Sequence, residues 1–334
     1  MALPDDVPLP TRQHRLGWLG FEQIAGQVQD AIARWGADRV GAVVGTSTGG
    51  IEISERAFFE WRETGSLPAE YSLDDHAFHS LARTLRSAAG WRGPTSVVST
   101  ACSSSAKAFS SARRLMRSGR CDAVLVGGVD SLALTTVRGF HSLSAASDTP
   151  CRPFSGERRG MNVGEGAAYL LLERDADAPA YLAGIGESND ALHMSAPDPE
   201  GNGAAAAMEL ALADAGLQPA DIGYVNAHGT GTLRNDVAES RAIARVLGCT
   251  TPVVSTKSYT GHMLGAAGAT EAVFALESLR RQWIPANLEV APLDPEITIS
   301  LPEQPQAAAL EHVLSNSFAF GGNNISLAFS RSAR

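Results

Sequence analysis

A near-repeat of six residues constrains the fold of this chain more than any other feature. Residues 95–100 read TSVVST and residues 251–256 read TPVVST, and a run of small residues with helical spacing follows each copy. The predicted strands and helices around the two copies come in the same order. This order indicates a gene duplication that produced two similar halves, residues 1–175 and residues 176–334, which we expect to pack as one rigid body.

Apolar runs alternate with helical segments in both halves. The first half contains residues 39–46 (RVGAVVGT), 121–129 (CDAVLVGGV) and 164–173 (GEGAAYLLLE), and the second contains residues 221–227 (DIGYVNA). Runs that are apolar throughout are typical of strands buried on both faces, and their alternation with helices is typical of α/β proteins. We therefore predict an α/β fold with largely buried sheets.

Composition narrows the classes of function. The 334 residues are 44% hydrophobic and 19% charged, so the chain can bury a large core, and no apolar run reaches the length of a membrane span. A net charge of −9 without a basic stripe argues against nucleic-acid binding. The four cysteines show no paired metal-ligand spacing, and the N-terminus has no signal-peptide pattern. We expect a reduced, cytoplasmic protein without a metal site.

Cys102 lies where a short predicted strand gives way to a helix of small residues that begins near Ser103. Unpaired backbone N–H groups and the helix dipole at such a position favour the thiolate over the thiol. Cys102 is therefore a candidate nucleophile. An inert cysteine in an apolar core is the alternative that this stretch alone leaves open.

Two histidines of the second half lie at comparable positions. His228 follows a predicted buried strand, and His262 comes just before a predicted helix. A single histidine beside glycine is more often a turn residue, but two of them and a cysteine at a third strand exit point to a site. Because functional residues gather beyond the carboxyl ends of strands in open α/β sheets, we expect Cys102, His228 and His262 to share one pocket. Neutral imidazoles would supply N–H donors for a developing enolate oxygen.

Four motifs, in the same order along the chain, resemble those of the β-ketoacyl-acyl-carrier-protein synthases, the elongating condensing enzymes of the thiolase superfamily. The motifs are residues 100–104 (TACSS), residues 228–232 (HGTGT) with Asp236 and Glu239, residues 257–268 from Lys257 through His262 to a GAAG turn, and residues 316–322 (NSFAFGG). The likeness runs from about residue 39 to the C-terminus. It implies a thiolase-like fold with a mixed sheet in each half and the layering α-β-α-β-α.

The resemblance also implies a reaction and a role for each motif. Cys102 would take an acyl chain, and His228 and His262 would hydrogen-bond the thioester carbonyl of a malonyl group as carbon dioxide leaves. Lys257, paired with Glu239, would orient the histidines. The backbone N–H groups of Cys102 and Phe320 would hold the oxyanion, and Phe320 would act as a gate. The remaining supporting residues in these motifs are Thr230, Thr232, Gly321 and Gly322.

The same resemblance implies partners. Both substrates would arrive on the phosphopantetheine arm of an acyl carrier protein, with no further cofactor, in fatty acid or polyketide synthesis. A dimer is expected, formed through the edge strand near the nucleophile, with a second copy or with a related synthase subunit. Candidate docking residues for the carrier are the arginines ahead of the nucleophile strand and on the helix after it, namely Arg83, Arg86, Arg113 and Arg117.

The start of the chain departs from the family pattern, and two other functions stay open. Family members open with a strand in the middle of the first sheet, and no such strand precedes residues 39–46. Either another segment fills the place of this central strand, or the start is truncated and the first sheet lacks it. The chain could then be a non-catalytic accessory subunit of the chain-length type, whose own site is disabled. A degradative thiolase that uses coenzyme A fits less well, because Cys249 precedes the late strand instead of following it.

Overall fold

The computed structural model describes residues 7–174 and 177–333 of the chain. The predicted junction between the halves, at residues 175 and 176, lies outside the described residues. The elements of the first half are α1 (Arg12–Glu22), α2 (Ala25–Trp35), β1 (Val40–Gly45), α3 (Ile51–Thr64), α4 (Leu73–His76), α5 (Ser80–Ala89), β2 (Thr95–Val98), α6 (Ser104–Arg117), β3 (Ala123–Asp130), α7 (Leu134–Ser142) and β4 (Gly166–Glu173).

The second half repeats the succession of strands and helices. Its elements are β5 (Tyr181–Asn189), α8 (Asn202–Ala215), β6 (Ile222–Asn226), α9 (Leu233–Leu247), β7 (Val253–Val254), α10 (Lys257–Thr260), α11 (Ala267–Arg281), β8 (Trp283–Ile284), β9 (Gln306–Ala307), β10 (His312–Ala319) and β11 (Asn323–Ser330). No helix in the ranges that the structure describes is long and apolar enough to cross a bilayer.

Both large sheets have the same strand order and the same directions. The first sheet runs β2-β1-β3-β4, and the second runs β7-β6-β10-β11 with β5 added at its far edge. In each, the first three strands are parallel and the next is antiparallel. The parallel strands therefore end on the same side, and both sheets are mixed, as expected.

The first sheet has one strand fewer than the second, and the strand that it lacks is an edge strand. The prediction of a missing central strand is therefore wrong. β1 and β3 pair directly from Val40↔Ala123 to Gly45↔Gly128, which leaves no gap in the middle of the sheet. In the second sheet β5 pairs antiparallel with β11, and residues 7–174 contain no strand on the corresponding edge of β4. Most of β4 is consequently half-buried, whereas β11 is almost wholly buried.

Helices α6 and α11 lie between the two sheets. Phe109 of α6 and Ala272 of α11 belong to one apolar cluster with Val126 of β3 and Leu327 of β11. Helices α1, α2 and α5 cover the outer face of the first sheet, and α8 and α9 cover that of the second. The predicted layering α-β-α-β-α is confirmed.

Small residues let the central helices approach each other and the first sheet. A Cβ atom on Gly268 of α11 would come within 2.7 Å of the Cβ of Ala106 in α6, and one on Gly45 of β1 would come within 2.4 Å of the backbone nitrogen of Ser105. Real Cβ atoms do not approach other heavy atoms so closely. The small residues after Cys102 are thus needed where the two halves meet.

Substituting Gly268→Ala should destabilise the fold. The added methyl group collides with α6, and overpacking of this kind costs about 1–3 kcal/mol. Gly139→Ala is the matched control, because a Cβ there meets nothing within 4 Å and Gly139 lies inside α7. Chemical denaturation should show a lower free energy of unfolding for Gly268→Ala and an unchanged or slightly higher one for Gly139→Ala. Equal stability of the two variants would contradict the close packing of α6 against α11.

Candidate active site

Cys102 occupies the turn between β2 and the start of α6. Ala101 has a φ of 51°, which reverses the chain direction between strand and helix. The hydroxyl of Ser104 accepts a hydrogen bond from the Thr100 N–H at 2.9 Å and donates one to the Ala101 carbonyl at 2.6 Å. These local bonds fix the turn, and they leave the Cys102 side chain buried and facing a cavity.

The resting sulfur is a thiol, contrary to the prediction of a favoured thiolate. Burial raises the pKa of Cys102 to about 12, although the charge of Lys257 and the backbone N–H groups of Phe320 and Cys102 act to lower that pKa. Burying a charge costs free energy, and at this site that cost outweighs the favourable effect of the helix N-terminus. Both predicted oxyanion donors, the N–H groups of Cys102 and Phe320, nevertheless point at the sulfur.

Both histidines line the same cavity as Cys102. The cavity has a volume of about 340 Å³. The rings of His228 and His262 lie 5.2 Å apart between centroids and are nearly perpendicular. Both are buried, and burial, followed by the charge of Lys257, lowers the pKa of His228 and of His262 well below the ordinary value. Both rings are therefore neutral at physiological pH.

Hydrogen bonding determines which ring nitrogen of His228 carries the proton, whereas the ring nitrogens of His262 have no hydrogen-bond partner among the described residues. The Lys257 Nζ lies 3.3 Å from His228 Nδ1, and it also bonds to the His228 carbonyl oxygen. Because an ammonium group can only donate, Nδ1 accepts and the neutral ring carries its proton on Nε2. Neither ring nitrogen of His262 has a hydrogen-bond partner among the described residues. A buried polar group without a partner is costly, so His262 is suited to binding a ligand.

The partner of Lys257 is Glu271, and the predicted pairing with Glu239 is wrong. Lys257 Nζ bonds Glu271 Oε1, and both side chains are buried. Burial raises the pKa of Glu271 to about 7, while the ammonium beside it acts to lower that pKa. Glu239 instead accepts the backbone N–H groups of His228 at 2.8 Å and Gly229 at 2.7 Å. It therefore positions His228 through the backbone.

The remaining supporting residues surround the three reactive groups. The hydroxyls of Thr230 and Thr232 lie 2.8 Å apart, and both residues line the cavity. Phe320 also lines it, and its ring packs against Phe140 at 5.7 Å between centroids. The two glycines after Phe320 have φ angles of 80° and 71°, a region that favours glycine, as the predicted flexible turn requires.

None of the four predicted docking arginines lines the cavity. Arg113 and Arg117 face Asp214 near the end of α8. Arg86 donates to the Arg92 carbonyl, close to the start of β2, whereas Cys102 lies beyond the end of that strand. Arg83, on the first turn of α5, also lies outside the cavity lining. These side chains therefore do not contact a substrate arm inside the cavity, and their part in docking the surface of a carrier protein stays a prediction.

Sequence reasoning missed several residues that shape the site. Asp130, at the end of β3, accepts the N–H groups of Ser47 and Thr48 from the first half and of Gly265 from the second. An acid at the end of an apolar strand was the available signal. Two exposed arginines at the cavity mouth, Arg159 and Arg234, were also missed.

Comparison with known proteins gives consistent matches over most of the chain. Residues 25–178 match the family model described as beta-ketoacyl synthase, N-terminal domain, and residues 179–291 match beta-ketoacyl synthase, C-terminal domain. The chain is 36% identical over 318 residues to a Vibrio cholerae protein named 3-oxoacyl-acyl-carrier-protein synthase 2, covering 88% of this chain and 76% of the relative.

Solved structures give the same result. A ketosynthase in complex with its chain length factor from Xenorhabdus doucetiae is 42% identical, with a TM-score of 0.93 over 99% of this chain and 84% of that chain. A type II polyketide synthase carrier protein in complex with its ketosynthase matches with 27% identity and a TM-score of 0.89, over 97% of this chain and 86% of that one.

Alkylation of Cys102 by iodoacetamide should accelerate steadily with pH. Because the thiol pKa is raised to about 12, the thiolate fraction rises about tenfold per pH unit throughout the range from about pH 7 to about pH 9. Both imidazoles are already neutral there and should add no inflection. Peptide mass spectrometry can follow Cys102 separately, with exposed Cys249 as the internal reference. A plateau below about pH 8 would show a stabilised thiolate instead.

Removing the carboxylate of Glu271 should destabilise the protein strongly. Glu271→Ala leaves the buried Lys257 charge unpaired, which costs about 3–5 kcal/mol of unfolding free energy. Glu277→Ala on the same helix is the control, because its pairs with Arg280 and Arg281 are exposed and such pairs contribute about 0–1 kcal/mol. The double variant Lys257→Met/Glu271→Leu should regain most of the stability. Similar costs for the two single variants would contradict the buried pairing.

Proposed function

The chain belongs to the β-ketoacyl synthase family, and from this premise we propose that it loads an acyl chain on Cys102 and condenses it with a malonyl thioester. The reaction is a decarboxylative Claisen condensation, catalysed by an acyltransferase-type enzyme. The observation that carries the proposal is the single cavity lined by Cys102, His228 and His262, whose imidazoles are both neutral.

In the first step the sulfur of Cys102 attacks the carbonyl carbon of an acyl thioester. The thiol proton must leave, because the pKa of Cys102 is raised to about 12. His228 has its Nδ1 occupied by Lys257, so the proton acceptor is a ring nitrogen of His262. The N–H groups of Cys102 and Phe320 stabilise the oxyanion. The bond between the acyl carbon and the carrier sulfur then breaks, and His262 returns the proton to the leaving thiolate.

In the second step the carbonyl oxygen of the malonyl thioester accepts hydrogen bonds from the Nε2–H of His228 and from His262. As carbon dioxide leaves, the electron pair of the broken bond forms an enolate, whose oxygen these neutral donors stabilise. The enolate carbon attacks the acyl carbon, the bond to Cys102 breaks, and the sulfur leaves as a thiolate that takes up a proton from solvent. Lys257 holds the ring of His228, and Glu239 holds its backbone.

Both substrates, in this proposal, are carried on the phosphopantetheine arm of an acyl carrier protein, in fatty acid or polyketide synthesis, and no further cofactor takes part. The name of the Vibrio cholerae relative and the carrier complex among the solved structures support the carrier. Thr230 and Thr232 line the path of the arm, and Phe320 with Gly321 and Gly322 forms the gate between the two steps. The predicted cytoplasmic location is part of the same proposal.

A dimer is also part of the proposal, with a second copy or a related subunit as partner. Phe58, Phe59 and Trp61 of α3 are 43–51% exposed, and Leu134 and Val137 of α7 are about 40% exposed. Large apolar side chains at the surface are typical of protein interfaces. The ketosynthase from Xenorhabdus doucetiae was solved with its chain length factor, which supports a related subunit as one partner.

A non-catalytic accessory subunit is the second candidate function, favoured by such pairing of synthases with chain length factors. The expected ground for an inactive site was a missing central strand. The first sheet is continuous, however, and the cavity holds all three reactive groups. Catalysis by this chain is therefore the better supported function.

Loading of the purified chain, alone, tests both candidates. Incubation with acyl carrier thioesters should add one acyl mass, which peptide mapping assigns to Cys102, and Cys102→Ala should add none. His262→Ala should slow loading by about 10²- to 10⁴-fold, since it removes the proton acceptor, and should slow it more than His228→Ala does. Both histidine variants should lose condensation. Failure of the wild-type chain to load alone, with recovery of activity only beside a partner synthase, would favour the accessory role.

A further inference from the structure

Two exposed arginines at the mouth of the catalytic cavity have no acidic partner. Arg159 and Arg234 both line the cavity, and neither forms a salt bridge with any acid in residues 7–174 or 177–333. The chain has a net charge of −9, so an uncompensated positive pair at this place is notable. Asp190 is the acid that lines the same cavity, and its carboxylate accepts the side-chain amide of Asn324 and the Asp198 N–H.

A buried arginine holds the backbone that carries both exposed ones. Arg158 donates to the carbonyl oxygens of Thr232 at 3.2 Å and Leu233 at 3.0 Å, one residue before Arg234. It also donates to the Ser155 carbonyl and to Asp294 at 2.6 Å. Arg159 follows directly in sequence. The charge of Arg158 is compensated by Asp294 and by Asp236, which lies 3.8 Å away, so its function is to fix the two segments relative to each other.

Hydrogen-bond donors continue from the mouth toward the reactive groups. Thr230 and Thr232, whose hydroxyls lie 2.8 Å apart, also line the cavity, and burial increases along this segment: Arg234 is exposed, Thr232 is half-buried, and Thr230 and His228 are buried. A ligand that enters would thus pass positive charge first, then hydroxyls, then the imidazoles. This order of groups suits a ligand with an anion at its outer end and a polar chain behind it.

We infer that Arg159 and Arg234 bind the phosphodiester of the phosphopantetheine arm while its thioester reaches Cys102. The inference rests on the proposed function. The phosphodiester is the charged group of the arm and lies at the end attached to the carrier, so it must stay at the mouth when the thioester is at the cavity floor. Guanidinium groups match phosphate oxygens with paired, charge-assisted hydrogen bonds. The two arginines thereby set the depth to which the arm enters.

Three extender substrates on the wild-type chain, with Cys102 acylated beforehand, test this assignment. They are malonyl-pantetheine, which has no phosphate, malonyl-phosphopantetheine, and malonyl on the intact carrier protein. For Arg159→Ala/Arg234→Ala we expect a rise in KM of about tenfold with both phosphate-bearing substrates, a kcat within about twofold, and no change with malonyl-pantetheine. Arg159→Lys/Arg234→Lys should lose less, and added salt should shrink the difference between the variants.

Arg331→Ala is the matched control, because Arg331 is exposed and follows the end of β11, on the side of the second sheet away from the cavity. It should leave all three KM values unchanged. A loss by the double alanine variant with malonyl-pantetheine as well would mean that the arginines serve only loop structure. A loss confined to the intact carrier would mean that they contact the carrier's surface, and no loss at all would exclude binding. Each of these results overturns the inference.

Calorimetric binding of phosphopantetheine and pantetheine separates this inference from the proposed function. Tighter binding of phosphopantetheine, lost in the double alanine variant, supports the phosphate site even if the wild-type chain condenses none of the three substrates. Equal binding of the two compounds by the wild-type chain overturns the inference even if condensation proceeds.

Discussion

The buried ammonium group of Lys257 is the charge on which the site depends. It donates to the ring of His228, it pairs with Glu271, and it acts on the pKa of Cys102 and of both histidines. In a low-dielectric interior such a charge acts strongly over short distances. Burial is the larger cause of the low pKa of both imidazoles, and this single cation adds to it, while the same cation partly offsets the effect of burial on the thiol. The carboxylate of Glu271 makes it possible to bury this cation.

The position of that charge relative to Cys102 depends on how the two halves meet. Cys102 belongs to the first half, and Lys257 and both histidines belong to the second. Asp130 bonds to Ser47 of the first half and to Gly265 of the second, and Gly268 packs directly on Ala106, only four residues after the nucleophile. Because protein interiors are close-packed, a small displacement of one half at these contacts would move the reactive groups of the other half as well. The small residues of α6 and α11 are therefore part of the catalytic geometry.

The sequence predicted which reactive groups follow the ends of strands. It did not predict which side chains pair in the folded protein or which strands are neighbours in a sheet. Cys102, His228 and His262 could be placed in one pocket, because parallel strands of duplicated sheets end together. The partner of Lys257 could not be chosen, because Glu239 and Glu271 both lie on helices that follow a site motif. The position of the missing strand at the sheet edge could not be predicted for a similar reason. The residues of a strand do not show which other strands it pairs with. Arg159 and Arg234 carry no local pattern at all.

The raised pKa of Cys102 was missed because a helix N-terminus and a buried setting act in opposite directions, and only coordinates show which prevails. The raised pKa of the Cys102 thiol suits the two-step reaction proposed above. A sulfur that remains a thiol in the empty cavity resists oxidation and stray alkylation, since the thiolate is the reactive form. A neutral His262 can accept the proton when a thioester arrives and can donate a hydrogen bond in the next step. An imidazolium could not accept that proton, so the neutral state of the His262 ring is what allows one ring to serve both steps.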